Sequence, residues 1–90
     1  MKLINYHITV YGRVQGVGYR FFAKKMAERL GIGGFVKNNL DGTVSIEAEG
    51  NEISLKEFLN ICRSGPDWGH VERIQHEEFP TSGYDGFRIK

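Results

Sequence analysis

Between Gly12 and Gly18 the chain places three glycines in seven residues, and its hydrophobic period changes across them. Before them, Ile4, Tyr6, Ile8 and Val10 alternate with Asn5, His7, Thr9 and Tyr11, the pattern of a strand with one buried face. After them, from roughly Arg20 onward, Phe22, Ala23, Met26, Ala27 and Leu30 recur at helical spacing. Lys24, Lys25, Glu28 and Arg29 fall on the solvent side of that helix. Glycine is entropically costly inside either regular element, so residues 12–18 read as a strand-to-helix loop. Gly31, Gly33 and Gly34 then end the helix, glycine being the usual residue at a helix C-terminus.

Phe35 to Asn38 reads as a short strand, and Asn39-Leu40-Asp41-Gly42 as the turn of a hairpin, for which Asp-Gly is a strong signal. Val44, Ile46 and Ala48 alternate with Thr43, Ser45, Glu47 and Glu49, which assigns both glutamates to a solvated face. Leu55, Phe58, Leu59 and Cys62 make a second helical stripe, with Cys62 a small core residue. Either Asn51 caps this helix, or Ser54 and Glu57 form a capping box; Gly65-Pro66 stops it. Residues 70–78 make a weaker strand in which Val71 and Ile74 break alternation, as a bulge would. Phe87 and Ile89 close the chain with a short strand. The order β-α-β-β-α-β plus a terminal strand predicts an α+β, ferredoxin-like split βαβ sandwich, with two helices on one face of an antiparallel sheet.

At 90 residues there is room for one core, so residues 1–90 are expected to be a single domain. Hydrophobic residues at 40% and charged residues at 26% are those of a soluble globular chain and exclude a disordered one. Twelve Lys and Arg against eleven Asp and Glu give a net charge of +1, without the basic excess of a nucleic-acid binder. A ferredoxin-like sheet carries RNA when aromatics stud its central strands; Tyr11 lies near such a position, but the rest of that pattern is missing. No apolar run approaches the ~18 residues of a membrane span, and no apolar segment follows Met1-Lys2. A single cysteine precludes an intramolecular disulfide. A cytoplasmic protein with no nucleic-acid or membrane partner is expected. His7, His70 and His76 lack metal-ligand spacing, so structural or solvent-exposed roles and no metal are expected.

The loop has chemical potential. A helix N-terminus carries unpaired N–H groups and a partial positive charge, and glycines before it let those groups converge on an anion. Arg20 in the first turn is unfavourable for the helix alone, and a bound anion repairs that mismatch. The segment is not a Walker A loop, since no Gly-Lys-Ser/Thr follows, nor a Gly-x-Gly-x-x-Gly fingerprint, since Phe21 stands at the third glycine. On glycine count alone, a tight connection and a binding loop both remain open.

The run Gly12-Arg13-Val14-Gln15-Gly16-Val17-Gly18-Tyr19-Arg20, however, closely resembles the acylphosphatase signature. A second stretch, Gly34-Phe35-Val36-Lys37-Asn38 ahead of Asp41-Gly42, resembles that family's other motif, with Phe35 where tryptophan is common. Gly50, Gly65-Pro66 and Phe87-x-Ile89 also match, and the likeness is weakest from Asp67 to Asp85. The resemblance implies hydrolysis of a small acyl phosphate to a carboxylate and inorganic phosphate, the latter product and inhibitor, with no cofactor and a monomeric enzyme. It implies that N–H groups of Gln15, Gly16, Val17, Gly18 and Tyr19 bind phosphate, that Arg20 clamps it, and that Asn38 orients the attacking water. An amide can orient water but cannot take its proton at neutral pH, which leaves the substrate's own phosphate as base and no histidine in that role. A regulatory phosphate-binding module would share the cradle, and only Asn38 argues against it. Trp68, Phe79 and Tyr84 could flank the site, with loop packing the simpler role for each.

Overall fold

The computed structural model describes residues 2–90. Seven elements follow in the order β1 (Leu3–Arg13), α1 (Tyr19–Arg29), β2 (Gly33–Asn38), β3 (Val44–Asn51), α2 (Glu52–Ser64), β4 (His70–Phe79) and β5 (Phe87–Ile89). The strands form one sheet in the order β4-β1-β3-β2-β5. Thus β3 lies between β1 and β2, and β1 between β3 and β4, which interleaves the two βαβ units as the ferredoxin-like order requires. Both helices cover the face bearing Ile4, Ile8 and Val10 of β1, Val44 and Ile46 of β3 and Val36 of β2, all buried. Ala23 and Ala27 of α1, and Leu55, Phe58, Leu59 and Cys62 of α2, close that core.

One expectation about the sheet needs correction. β5 pairs parallel with β2, Gly34 opposite Phe87 and Val36 opposite Ile89, so the sheet is mixed rather than wholly antiparallel. After β4, at one edge, the chain crosses to the other edge before β5, so β5 runs alongside β2 in the same direction.

Local differences from the sequence pattern have physical causes. β1 does not end at Tyr11; it continues through Gly12 and Arg13 because β4 pairs with them after a register shift that passes over Glu72. That shift is the expected bulge. Gly12 allows it: a Cβ there would lie 2.2 Å from the His70 carbonyl oxygen, and its φ is 126°. Gly33 and Gly34 begin β2 rather than end α1, whose closing turn is made by Leu30 and Gly31. Asn51 is the cap of α2, its Oδ1 accepting from the Ser54 N–H at 2.9 Å.

The largest departure concerns Glu47 and Glu49, which are not solvated. Glu49 is 9% exposed and accepts from Asn5 Nδ2 and from the N–H groups of Ser82, Gly83 and Tyr84 at 2.6–3.2 Å. Residues 82–84 lie over this part of the helix-free face and bring three N–H donors to one carboxylate. Glu47 meets His7 Nε2 at 3.1 Å and accepts from Asn5 Nδ2 at 3.3 Å.

Candidate active site

The loop between β1 and α1 is shaped by backbone handedness. Gly16 and Gly18 have φ of 74° and 79°, while Val17 between them does not take positive φ. Residues alternating between left- and right-handed backbone turn successive N–H groups to one side, making an anion-binding concavity. Among the described residues, the N–H groups of Gln15, Gly16, Val17 and Gly18 donate to no protein acceptor, and the first to do so after the loop is Phe22, to Gly18 oxygen at 3.0 Å. Gly18 is the N-cap of α1, without a side-chain cap and with no acidic residue in the first turn. The positive end of the helix therefore has no counter-charge of its own there.

The side chains then divide in role. Val14 and Tyr19 are buried and anchor the two ends of the loop in the core. The Tyr19 hydroxyl donates to the Cys62 carbonyl oxygen at 2.7 Å, and burial, then the neighbouring Cys62, drive its phenol above the ordinary range. Only the backbone of Tyr19 is available at the loop. Burial pushes the Cys62 thiol up to about 12, against a smaller opposing effect of the Tyr19 hydroxyl, so it is an unreactive core group.

The Gln15 side chain points away from the concavity. Its Nε2 donates to the carbonyl oxygens of Asn39 at 2.7 Å and Thr43 at 2.8 Å, tying the loop to the hairpin between β2 and β3. That hairpin is braced internally, Asn39 Nδ2 donating to Thr43 Oγ1 and Ser45 Oγ, and Thr43 N–H and Oγ1 donating to Asp41 Oδ1. These hydrogen bonds from Thr43 hold the Asp41 carboxyl below its usual range. Sequence reasoning treated Gln15 only as a backbone donor; nothing local marks its side chain as a tether.

Arg20 and Asn38 come together from different elements. With Val14, Gly16, Gly18, Tyr19 and Phe21 they line a pocket of about 140 Å³ between the loop and the end of β2. Arg20 Nη1 donates to the Lys90 carbonyl oxygen at 3.2 Å, which leaves further donors of its fork uncommitted. Asn38 is exposed, and among the described residues its amide makes no side-chain hydrogen bond. Val17 lies within the loop, and its carbonyl oxygen accepts from the indole N–H of Trp68. Trp68 is thus a clasp on the loop, whereas Phe79 stacks on His7 and Tyr84 meets Phe35 edge-on, both away from the pocket.

No histidine lines the pocket: His7 stacks on Phe79 beside Glu47, His76 packs against Tyr6, and His70 begins β4. Among the described residues no group of three or more His, Cys, Asp or Glu is placed to hold a metal. A larger hollow, about 480 Å³ between Glu28, Glu49 and Tyr84, is lined by neither Arg20 nor Asn38 nor any residue of the Gln15–Tyr19 loop.

An unpaired N–H loop with an arginine and an exposed asparagine on one pocket offers donors to an anion, and comparison with known proteins decides the family. Residues 6–89 match the acylphosphatase family model. The chain belongs to the acylphosphatase family. It is 46% identical to an acylphosphatase of Thermotoga maritima across 92% of each chain. The crystal structure of acylphosphatase from Bacillus subtilis superposes with a TM-score of 0.95 at 39% identity, covering 97% of this chain and 98% of that one. An acylphosphatase structure from Coxiella burnetii gives 0.94 at 34% identity, covering 98% and 93%. The chain is accordingly a hydrolase of acyl phosphates, on an acylphosphatase fold.

Proposed function

We propose that catalysis divides between the β1–α1 loop, which holds the phosphate, and Asn38, which orients water. The observation that carries this is the shared pocket, where Gly16, Gly18 and Arg20 face the same space as Asn38. In this reading the N–H groups of Gln15 to Tyr19 and the Arg20 guanidinium bind the phosphoryl oxygens, and their fixed dipoles stabilise the charge of the transferring group. The Asn38 amide accepts one hydrogen bond from water and directs its oxygen at phosphorus, in line with the acyl oxygen.

The phosphorus–oxygen bond to the acyl group breaks as the water oxygen attaches, and its electron pair leaves on the carboxylate. The departing proton of the water goes to a phosphoryl oxygen, giving dihydrogen phosphate. A carboxylate is a good leaving group, so no protein acid is required. The positive field of the loop and Arg20 does the work that Mg²⁺ performs in nucleotide hydrolases. Inorganic phosphate, fitting the same cradle, acts as product and competitive inhibitor.

Turnover of a model acyl phosphate by Arg20 variants tests this. Arg20→Lys is expected to lose about 10²-fold or more in kcat/KM, nearly as much as Arg20→Ala, because lysine keeps the charge but not the planar fork. Exhaustive chelation is expected to leave the wild-type rate unchanged. A lysine variant within a few-fold of wild type, or activity restored only by a divalent cation, contradicts the reading.

A further inference from the structure

The turn joining α2 to β4, residues 65–69, backs onto the β1–α1 loop. A Cβ on Gly69 would lie 3.4 Å from Val17 Cγ2 and 3.6 Å from the Arg13 carbonyl oxygen, and one on Gly65 would lie 3.6 Å from the Tyr19 ring. These two glycines let the turn come close but give the loop no polar partner. Trp68 does: its indole N–H donates to the Val17 carbonyl oxygen. Trp68 is 64% exposed and stands outside the core, so changing it leaves the packing of the fold in place.

The Val17 carbonyl and the Gly18 N–H belong to one planar trans peptide and point in opposite directions. A donor on the oxygen therefore fixes where the N–H points. Gly18 itself does not fix it. Rotating this peptide plane changes ψ of Val17 and φ of Gly18, and glycine takes a negative φ as readily as the 79° found here. The indole is a donor and never an acceptor, so it favours the orientation that turns the oxygen toward Trp68 and opposes the reverse. A hydrogen bond on an amide oxygen also polarises the amide and strengthens its N–H as a donor. Gly18 lines the pocket shared by Arg20 and Asn38, and its N–H has no protein acceptor among the described residues.

We infer that Trp68 is a positioning residue for the phosphoryl group, acting through the Val17–Gly18 peptide. It aims and strengthens the Gly18 N–H without touching substrate. The inference rests on the proposed role of the loop N–H groups as phosphate donors. An exposed side chain 51 residues from Val17, on a different connection, thereby shares in phosphate affinity.

Trp68 is the only tryptophan of the chain, so expression on a tryptophan analogue replaces it alone. Benzothienylalanine keeps the bicyclic shape and puts sulfur where the indole N–H stood. Protein carrying it, and Trp68→Phe, are each expected to bind inorganic phosphate about three- to tenfold more weakly by calorimetry, the scale of one hydrogen bond. kcat/KM on an acyl phosphate is expected to fall by the same factor, with the unfolding midpoint unchanged. In wild type, the single indole N–H resonance is expected to move during a phosphate titration, with the dissociation constant that calorimetry gives. A tryptophan that only packs would not follow phosphate in this way. Phosphate affinity equal to wild type in both altered proteins, or an indole resonance indifferent to phosphate, overturns the role of Trp68 and leaves the cradle in place. Absence of phosphate binding to the wild type overturns the reading beneath it.

Discussion

Glu49 shows how far a single residue can depart from its sequence pattern. Strand alternation assigns it to the polar face, which is correct, and polar faces are usually wet, which here fails. Its hydrogen-bond partners lie 33–44 residues away, and no local pattern announces them. Burial raises the Glu49 carboxyl, but the donors on Asn5, Ser82, Gly83 and Tyr84 outweigh it and leave the group below its ordinary value. A depressed folded-state value means that the carboxylate adds stability above the unfolded value of about 4.3, and that this is lost as pH falls through the lower folded value. Glu49→Gln is therefore expected to cost about 1–3 kcal/mol at pH 7, since the amide keeps one acceptor but turns an NH₂ toward N–H groups. Urea unfolding at pH 7 and pH 3 checks this: the gap from wild type should shrink at pH 3, and a gap independent of pH would refute it. That Arg20 and Asn38 come to one pocket, by contrast, was legible, because each sits inside a short run of consecutive motif residues.

At the scale of elements, the period change across Gly12–Gly18 located the loop, and the Asp41-Gly42 turn located the hairpin that faces it. What joins them was not legible. Gln15 reaches the carbonyl oxygens of Asn39 and Thr43, 24 and 28 residues on, and so fixes the loop relative to the end of β2, where Asn38 sits. Gln15→Ala is expected to weaken inorganic phosphate binding and lower kcat/KM by about 10- to 10²-fold, the scale of two lost part-buried hydrogen bonds, with the fold retained. Gln15→Glu should be worse, because a carboxylate would face two carbonyl oxygens. Calorimetric titration of phosphate into both variants decides it, and unchanged affinity would show that the loop keeps its shape without the tether. The boundaries of β1 were missed for a related reason: Gly12 reads as a breaker locally, and only the pairing with β4 keeps it in the strand.

For the whole molecule, hydrophobic periodicity gave the element order and, through it, the interleaved sheet, because each stripe needed a partner face and few topologies supply one. The parallel edge was not legible, since the three residues of β5 carry no signal of direction. That topology sets β1 and β2 on either side of β3, so the loop after β1 and the end of β2 approach one pocket from separate parts of the chain. The central claim is that these two parts do separate jobs. Its most direct test is Asn38→Ala, followed by kcat on an acyl phosphate and by the affinity for inorganic phosphate from calorimetry on the same folded sample. Turnover is expected to fall about 10²-fold or more, the scale on which misplacing a reacting group acts, with phosphate affinity within a few-fold of wild type. A loss of phosphate affinity in proportion to the loss of turnover would put Asn38 in the cradle and contradict the division.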